Sequence, residues 1–170
     1  MTAVVRSLLP PLVELWLRSQ LEQSRRLRIE LQGSDGQIWR GHIPQAAIAG
    51  EEIVYQGLHF AKVRLQAHDL RLNTAGALRG EAMRLLAPLQ VELEVHLSPT
   101  GFQQSWRSPL VQQGLVDLLG EAAEPPTTDA DIANALAKLL AALPEVHRID
   151  ALTVVDGSCH CRGTMAIAAT

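Results

Sequence analysis

The sequence predicts an α+β fold, a curved antiparallel sheet packed on an N-terminal amphipathic helix, with further helices and a C-terminal hairpin. Three observations carry this expectation. Short segments between about Arg26 and Leu97 alternate apolar and polar residues and are punctuated by single glycines. An apolar stretch with a polar side precedes them, and capped helical patterns followed by an Asp-Gly hairpin signal come after them.

Pro11 suits the first turn of a helix, and from it Leu12, Leu15, Trp16 and Ser19 fall on one face, with Val13, Leu17 and Leu21 widening the stripe. Glu14, Arg18 and Glu22 are spaced to pair along the polar side, and the helix is expected to run from about Pro11 to Arg25. Arg26 to Gln32 alternates strictly, so Leu27, Ile29 and Leu31 share a face. Gly33-Ser34-Asp35-Gly36 reads as a turn, with Gln37 to Ile43 as the return strand. Ala46 to Tyr55 reads as a strand interrupted at Gly50. Gly57 to Gln66 reads as another, bulged near Ala61-Lys62, and Asp69 to Asn73 continues it. The pairs Arg40-Gly41 and Arg79-Gly80 each close a strand-like stretch, hinting at an internal repeat of about forty residues. Val91, Leu93, Val95 and Leu97 alternate against Glu92, Glu94 and His96, the pattern of a strand with one wet face.

Ser98-Pro99 opens a short helix from which Phe102 and Trp106 project on one side, and Leu110 to Gly120 forms another helix after Ser108-Pro109. Glu121 to Thr127, with Pro125-Pro126, has the composition of a mobile linker. Thr128 caps a helix running to Leu143, and Asp129 and Asp131 sit favourably near its positive end. His147 to Val155 and Ser158 to Ala168 form a hairpin about Asp156-Gly157, with Cys159, Cys161, Gly163, Met165 and Ile167 on one face and His160, Arg162 and Thr164 on the other.

A chain of 170 residues is expected to form one domain with a core that needs no disulfide. Its 47% hydrophobic content, 19% charged content and mean hydropathy of +0.07 make it greasy, yet it holds no run of eighteen apolar residues. The net charge of −3 divides into +3 over residues 1–85 and −6 over residues 86–170, a polarity able to orient the molecule on an anionic surface. Only Lys62 and Lys138 of the fifteen basic residues are lysines, and the guanidinium fork suits phosphate. Met1 to Leu21 lacks the pattern of a secretory signal, so the expected location is cytoplasmic, peripheral to an internal membrane.

No catalytic constellation competes with a binding role. The chain has no nucleophile elbow, phosphate-cradling loop or dinucleotide fingerprint, so it is expected to be no enzyme and to need no cofactor. Cys159-His160-Cys161 would point its thiols away from its imidazole on a strand, and none of the six histidines has an i+4 histidine partner on a predicted helix, so no metal site is expected. Negative charge and 4% aromatic content argue against nucleic acid as a partner. Apolar surface remains, with Trp16, Trp39, Phe102 and Trp106 as rings suited either to a water–lipid boundary or to a core.

From Leu12 to Leu118, about two thirds of the chain, the order of segments resembles the bacterial LmeA-like phospholipid-binding family. The stretches that carry the resemblance are Pro11 to Gln20, Val54-Tyr55-Gln56-Gly57-Leu58, Leu78-Arg79-Gly80 with Met83-Arg84-Leu85, and Ser105-Trp106-Arg107-Ser108-Pro109-Leu110. The resemblance implies a sheet wrapped on a helix like half of a tubular lipid-binding module, and a phospholipid or membrane surface as partner. Members of the family run on with additional strands, which implies a shorter cavity here or one completed by a second copy. The expected site joins Leu12, Leu15 and Trp16 of the helix and Phe102 and Trp106 to the concave sheet, with Arg18, Arg25 and Arg26 at its mouth for a phosphate. A protein-interaction or assembly module, docking its sheet edge and apolar helix on a partner or a second copy, is the other reading.

Overall fold

The computed structural model describes residues 11–169 except Leu12, Trp16 and Glu145. Helix α1 comprises residues 11, 13–15 and 17–20, and gives way to β1 (Gln23–Gln32) earlier than the expected end near Arg25. After it come α2 (Asp35–Trp39), β2 (His42–Tyr55), β3 (Leu58–Arg71), α3 (Thr74–Leu78) and β4 (Leu89–Leu97). Helices α4 (Pro99–Trp106), α5 (Pro109–Leu119) and α6 (Asp129–Ala142) lead to the hairpin β5 (Val146–Val155) and β6 (Ser158–Ile167). The six strands form one curved antiparallel sheet in the order β1-β2-β3-β4-β6-β5, the α+β class expected.

Three expectations are corrected between β1 and β4. Residues 35–39 are helical where a turn and return strand were expected, because Ser34 and Gln37 close a capping box: Ser34 Oγ accepts from Gln37 N at 3.3 Å and Gln37 Oε1 accepts from Ser34 N at 3.0 Å. The bulge expected near Ala61-Lys62 is absent, since β2 and β3 pair without a shift from His42↔Arg71 to Tyr55↔Leu58. Irregularity falls instead on the edge pairing of β1 with β2, between Gln23 and Arg28, where Arg26 adopts a φ of 51° and Glu52 one of 49°. The two Arg-Gly pairs close the five-residue helices α2 and α3 rather than strands, Gly41 at a φ of 84° and Gly80 at 95°. At Gly41 a Cβ would also collide with the Leu72 carbonyl, which fixes glycine there.

Both β-hairpins turn on two residues of positive φ, Gln56-Gly57 (50° and 82°) and Asp156-Gly157 (50° and 80°), whose twist matches that of paired strands. The expected caps Ser98 and Thr128 accept from Gly101 N and Asp131 N, and Ser108 caps α5 in the same way by accepting from Val111 N. Segment 121–127 is tied to the body by Trp106, whose Nε1 donates to Ala123 O at 2.8 Å.

The core has two parts on one face of the sheet. Val13, Ile38, Ile43, Ala46, Ala67, Leu72, Leu85, Leu89 and Val91 form the first, around α1, α2 and α3. Phe102, Trp106, Leu115, Ile132 and Cys159 form the second, beneath α4, α5 and α6. Strand alternation places Leu89, Val91, Leu93, Val95 and Leu97 on the same side of β4. Leu89 and Val91 enter the first cluster and Leu97 packs on the second, so the clusters are the two ends of one inner face.

Candidate functional site

Between these ends the inner face keeps a transverse apolar band. Register aligns Gly50, Val63, Val95, Cys161 and Leu152 in one row across five strands, and Ile48, Leu65, Leu93, Gly163 and Ile149 in the next. Gly50 and Val95 are buried and the other eight half-buried, and only Leu65 of the ten packs against either cluster. Five strands at about 4.8 Å spacing make the band roughly 19 Å long. Its two glycines have packing causes: a Cβ on Gly163 would meet the Arg148 carbonyl, and one on Gly50 would lie 2.8 Å from Ile53 Cδ1. Burial pushes the Cys161 thiol up, and burial followed by the Asp129 charge pushes Cys159 up to about 11, so both are neutral members of an apolar lining.

The sequence-predicted residues take different places. Leu12 and Trp16 lie outside the described residues. On α1 Val13 and Leu17 pack on the first cluster, whereas Leu15 is 67% exposed. Arg18 is held by Glu14 at 2.8 Å, Arg25 by Glu52 at 3.2 Å and Arg26 by Glu51 at 3.3 Å, all at the surface. Arg25 pairs in register with Glu51, next to Gly50, so Arg25 and Arg26 stand beside the β1 end of the band. Phe102 and Trp106 are 3% and 4% exposed with ring centroids 5.7 Å apart, core residues that fasten α4 to the sheet rather than rings at its surface. The band itself was only half visible in the sequence. Alternation marks Val63, Leu65, Leu93 and Val95, but their alignment with Cys161 and Leu152 depends on β6 lying beside β4.

The opposite, outer face is polar, with Lys62, Arg64 and Gln66 of β3 in register with His96, Glu94 and Glu92 of β4. An open depression of about 480 Å³ on it is lined by His68, Gln90, Glu92, His147, Arg148 and Thr164, among others. Its lining suits water and ions rather than an alkyl chain.

The model of the LmeA-like phospholipid-binding family matches residues 2–158. The chain belongs to that family. No curated protein and no solved structure matches it. LmeA-like membership fits the absence, among the described residues, of a helix long and apolar enough to cross a membrane, and it makes phospholipid the ligand class to test against the geometry. Three of the four stretches that resemble the family prove to be joints of the fold. Gly57 at the β2–β3 turn packs so closely on Ser108 that a Cβ there would lie 2.8 Å from Ser108 Cβ. Ser105 Oγ accepts from His59 N at 2.7 Å, and Ser108 Oγ donates to Ser105 O at 2.6 Å. Two LmeA-like stretches, Val54 to Leu58 and Ser105 to Leu110, thus hold each other. The third is organised by Asn73, which donates to Ala82 O at 2.8 Å and accepts from Arg84 N at 2.6 Å, beside the Leu72↔Leu85 bridge.

Proposed function

We propose that the chain binds phospholipid without chemical conversion, an acyl chain lying in the transverse band between the two helical caps. The observation that supports this reading is an apolar band of ten residues, eight of them half-buried, on the inner face of the sheet in a member of a phospholipid-binding family. Each methylene transferred from water to such a surface contributes about 0.8 kcal/mol, so a partly buried chain supplies most of the affinity. Leu15, exposed on α1, adds apolar contact. Arg18, Arg25 and Arg26 are the candidates for the phosphate, each exchanging a surface carboxylate for it at little cost. Phe102 and Trp106 act indirectly, by holding the α4 side of the band in place.

Native mass spectrometry of gently purified protein, followed by organic extraction and lipid analysis, tests the reading. Wild type carries phospholipid, and Val63→Trp, which fills the band from its floor, loses it while keeping the far-UV spectrum of the parent. A lipid-free oligomer that also ignores anionic vesicles overturns the proposal in favour of an assembly module, for which the exposed edge strands β1 and β5 are the natural contact.

A further inference from the structure

On the outer face, away from the band, three side chains of metal-ligand chemistry converge. Strand alternation puts Glu94 and His96 on one side of β4, and the register pairs His96 directly with His160 of β6. Glu94 Oε1 lies 3.5 Å from His96 Nε2 and 3.3 Å from His160 Nε2, and all three donor atoms fall within 4.8 Å of one another. A tetrahedral ion with bonds of about 2.0–2.1 Å has ligand atoms about 3.3–3.4 Å apart, so the two nitrogen–oxygen separations are already those of a zinc-type site. His160 Nε2 is buried, and although Glu94 Oε1 lies 3.3 Å away the two do not meet in good hydrogen-bond geometry, which leaves this nitrogen poorly satisfied.

We propose that Glu94, His96 and His160 form a divalent transition-metal site of the zinc class that ties β4 to β6. The imidazoles stack with centroids 4.2 Å apart and planes 19° apart, so both lone pairs reach one ion only after the rings swing about χ2, a soft torsion. Two nitrogens and one carboxylate oxygen fill three positions of a tetrahedron and leave the fourth for water. Selectivity follows from the surroundings. Arg64 and Arg162 flank Glu94 in register, and Lys62 lies beside His96. An oxygen-seeking Ca²⁺ or Mg²⁺ finds one carboxylate among three cations, whereas a borderline metal gains two imidazole bonds. The sequence concealed the site because the decisive partner of His96 lies across the sheet, not four residues along a helix.

The test is isothermal titration of metal-free full chain with ZnCl₂, joined by Co²⁺ absorption spectra. One zinc per chain binds, Mg²⁺ and Ca²⁺ do not compete, and the cobalt complex gives visible bands without the near-ultraviolet charge transfer of a thiolate. His96→Asn, His160→Asn and Glu94→Gln each weaken zinc by roughly tenfold or more, while His68→Asn on the same face binds as the parent does. Circular dichroism confirms that each variant is folded. Zinc affinity unchanged in all three ligand variants, a cobalt spectrum with thiolate character, or no saturable binding overturns the proposal.

Discussion

At the scale of single residues, the environment of each titratable group decides its behaviour. Burial pushes the Glu94 carboxyl up, but its contacts with His160 and His96 and the positive fields of His160 and Arg64 outweigh this and hold it below the ordinary carboxylate range. A depressed carboxylate contributes stability that is present above its unfolded pKa and fades as pH falls through its folded one. In metal-free buffer, Glu94→Gln therefore melts below the parent at pH 6, and the two curves converge as pH drops beneath the carboxylate range; thermal melts from pH 6 to pH 3 check this. The thiols give a second expectation. With both raised, iodoacetamide at pH 7.5 modifies them slowly, and half-buried Cys161 reacts before buried Cys159. Saturating phospholipid vesicles slow the Cys161 reaction several-fold if the acyl chain covers the band, and equal rates with and without lipid exclude that placement. These residue-level properties were partly legible. The opposite facing of His160 and its neighbouring cysteines follows from alternation alone, but the proximity of Glu94 and His96 to His160 does not.

At the scale of elements, local signals identified those with strong punctuation. Ser98-Pro99, Ser108-Pro109 and Thr128 announce α4, α5 and α6, and Asp156-Gly157 announces the last hairpin, because caps and positive-φ turns are chosen by a few adjacent residues. The five-residue helices α2 and α3 were not anticipated. They are too short to show a helical period, and the glycines around them read as turns until the Ser34–Gln37 box is recognised. How elements join depends on contacts that no local pattern encodes, and the Ser105–His59 bond is one. Removing the buried hydroxyl in Ser105→Ala leaves His59 N without its acceptor and costs about 1–3 kcal/mol, read as a lower urea midpoint with unchanged slope. Asp129 serves the other hairpin alike, its carboxylate accepting from Asp156 N and Gly157 N at 3.0 Å each. Both β-turns are thereby clasped by the helical cap above them, so the cap sets the rigidity of that end of the band.

At the scale of the whole molecule, the α+β class and the one-face-wet sheet were legible from composition and alternation, whereas the strand order was not. Nothing in the pattern of β4, β5 and β6 says that the chain, having built three helices, returns to place β6 rather than β5 beside β4. That choice makes the band continuous across five strands and brings the two imidazoles together on the reverse side, so a lipid surface and a metal clasp would share the same strand pair. It also shapes how the molecule assembles. The β1–β4 portion pairs neighbours joined by short connections, while Leu97 meets Cys159 and Leu89 meets Ile167, closures of more than sixty residues. Long closures form slowly because their entropy is lost before their contacts are gained. Until β6 docks, β4 presents an open edge and half of its apolar neighbours are missing. A nascent chain would therefore pass through an adhesive intermediate, whose partner of convenience is a chaperone, a membrane surface or another unfinished copy.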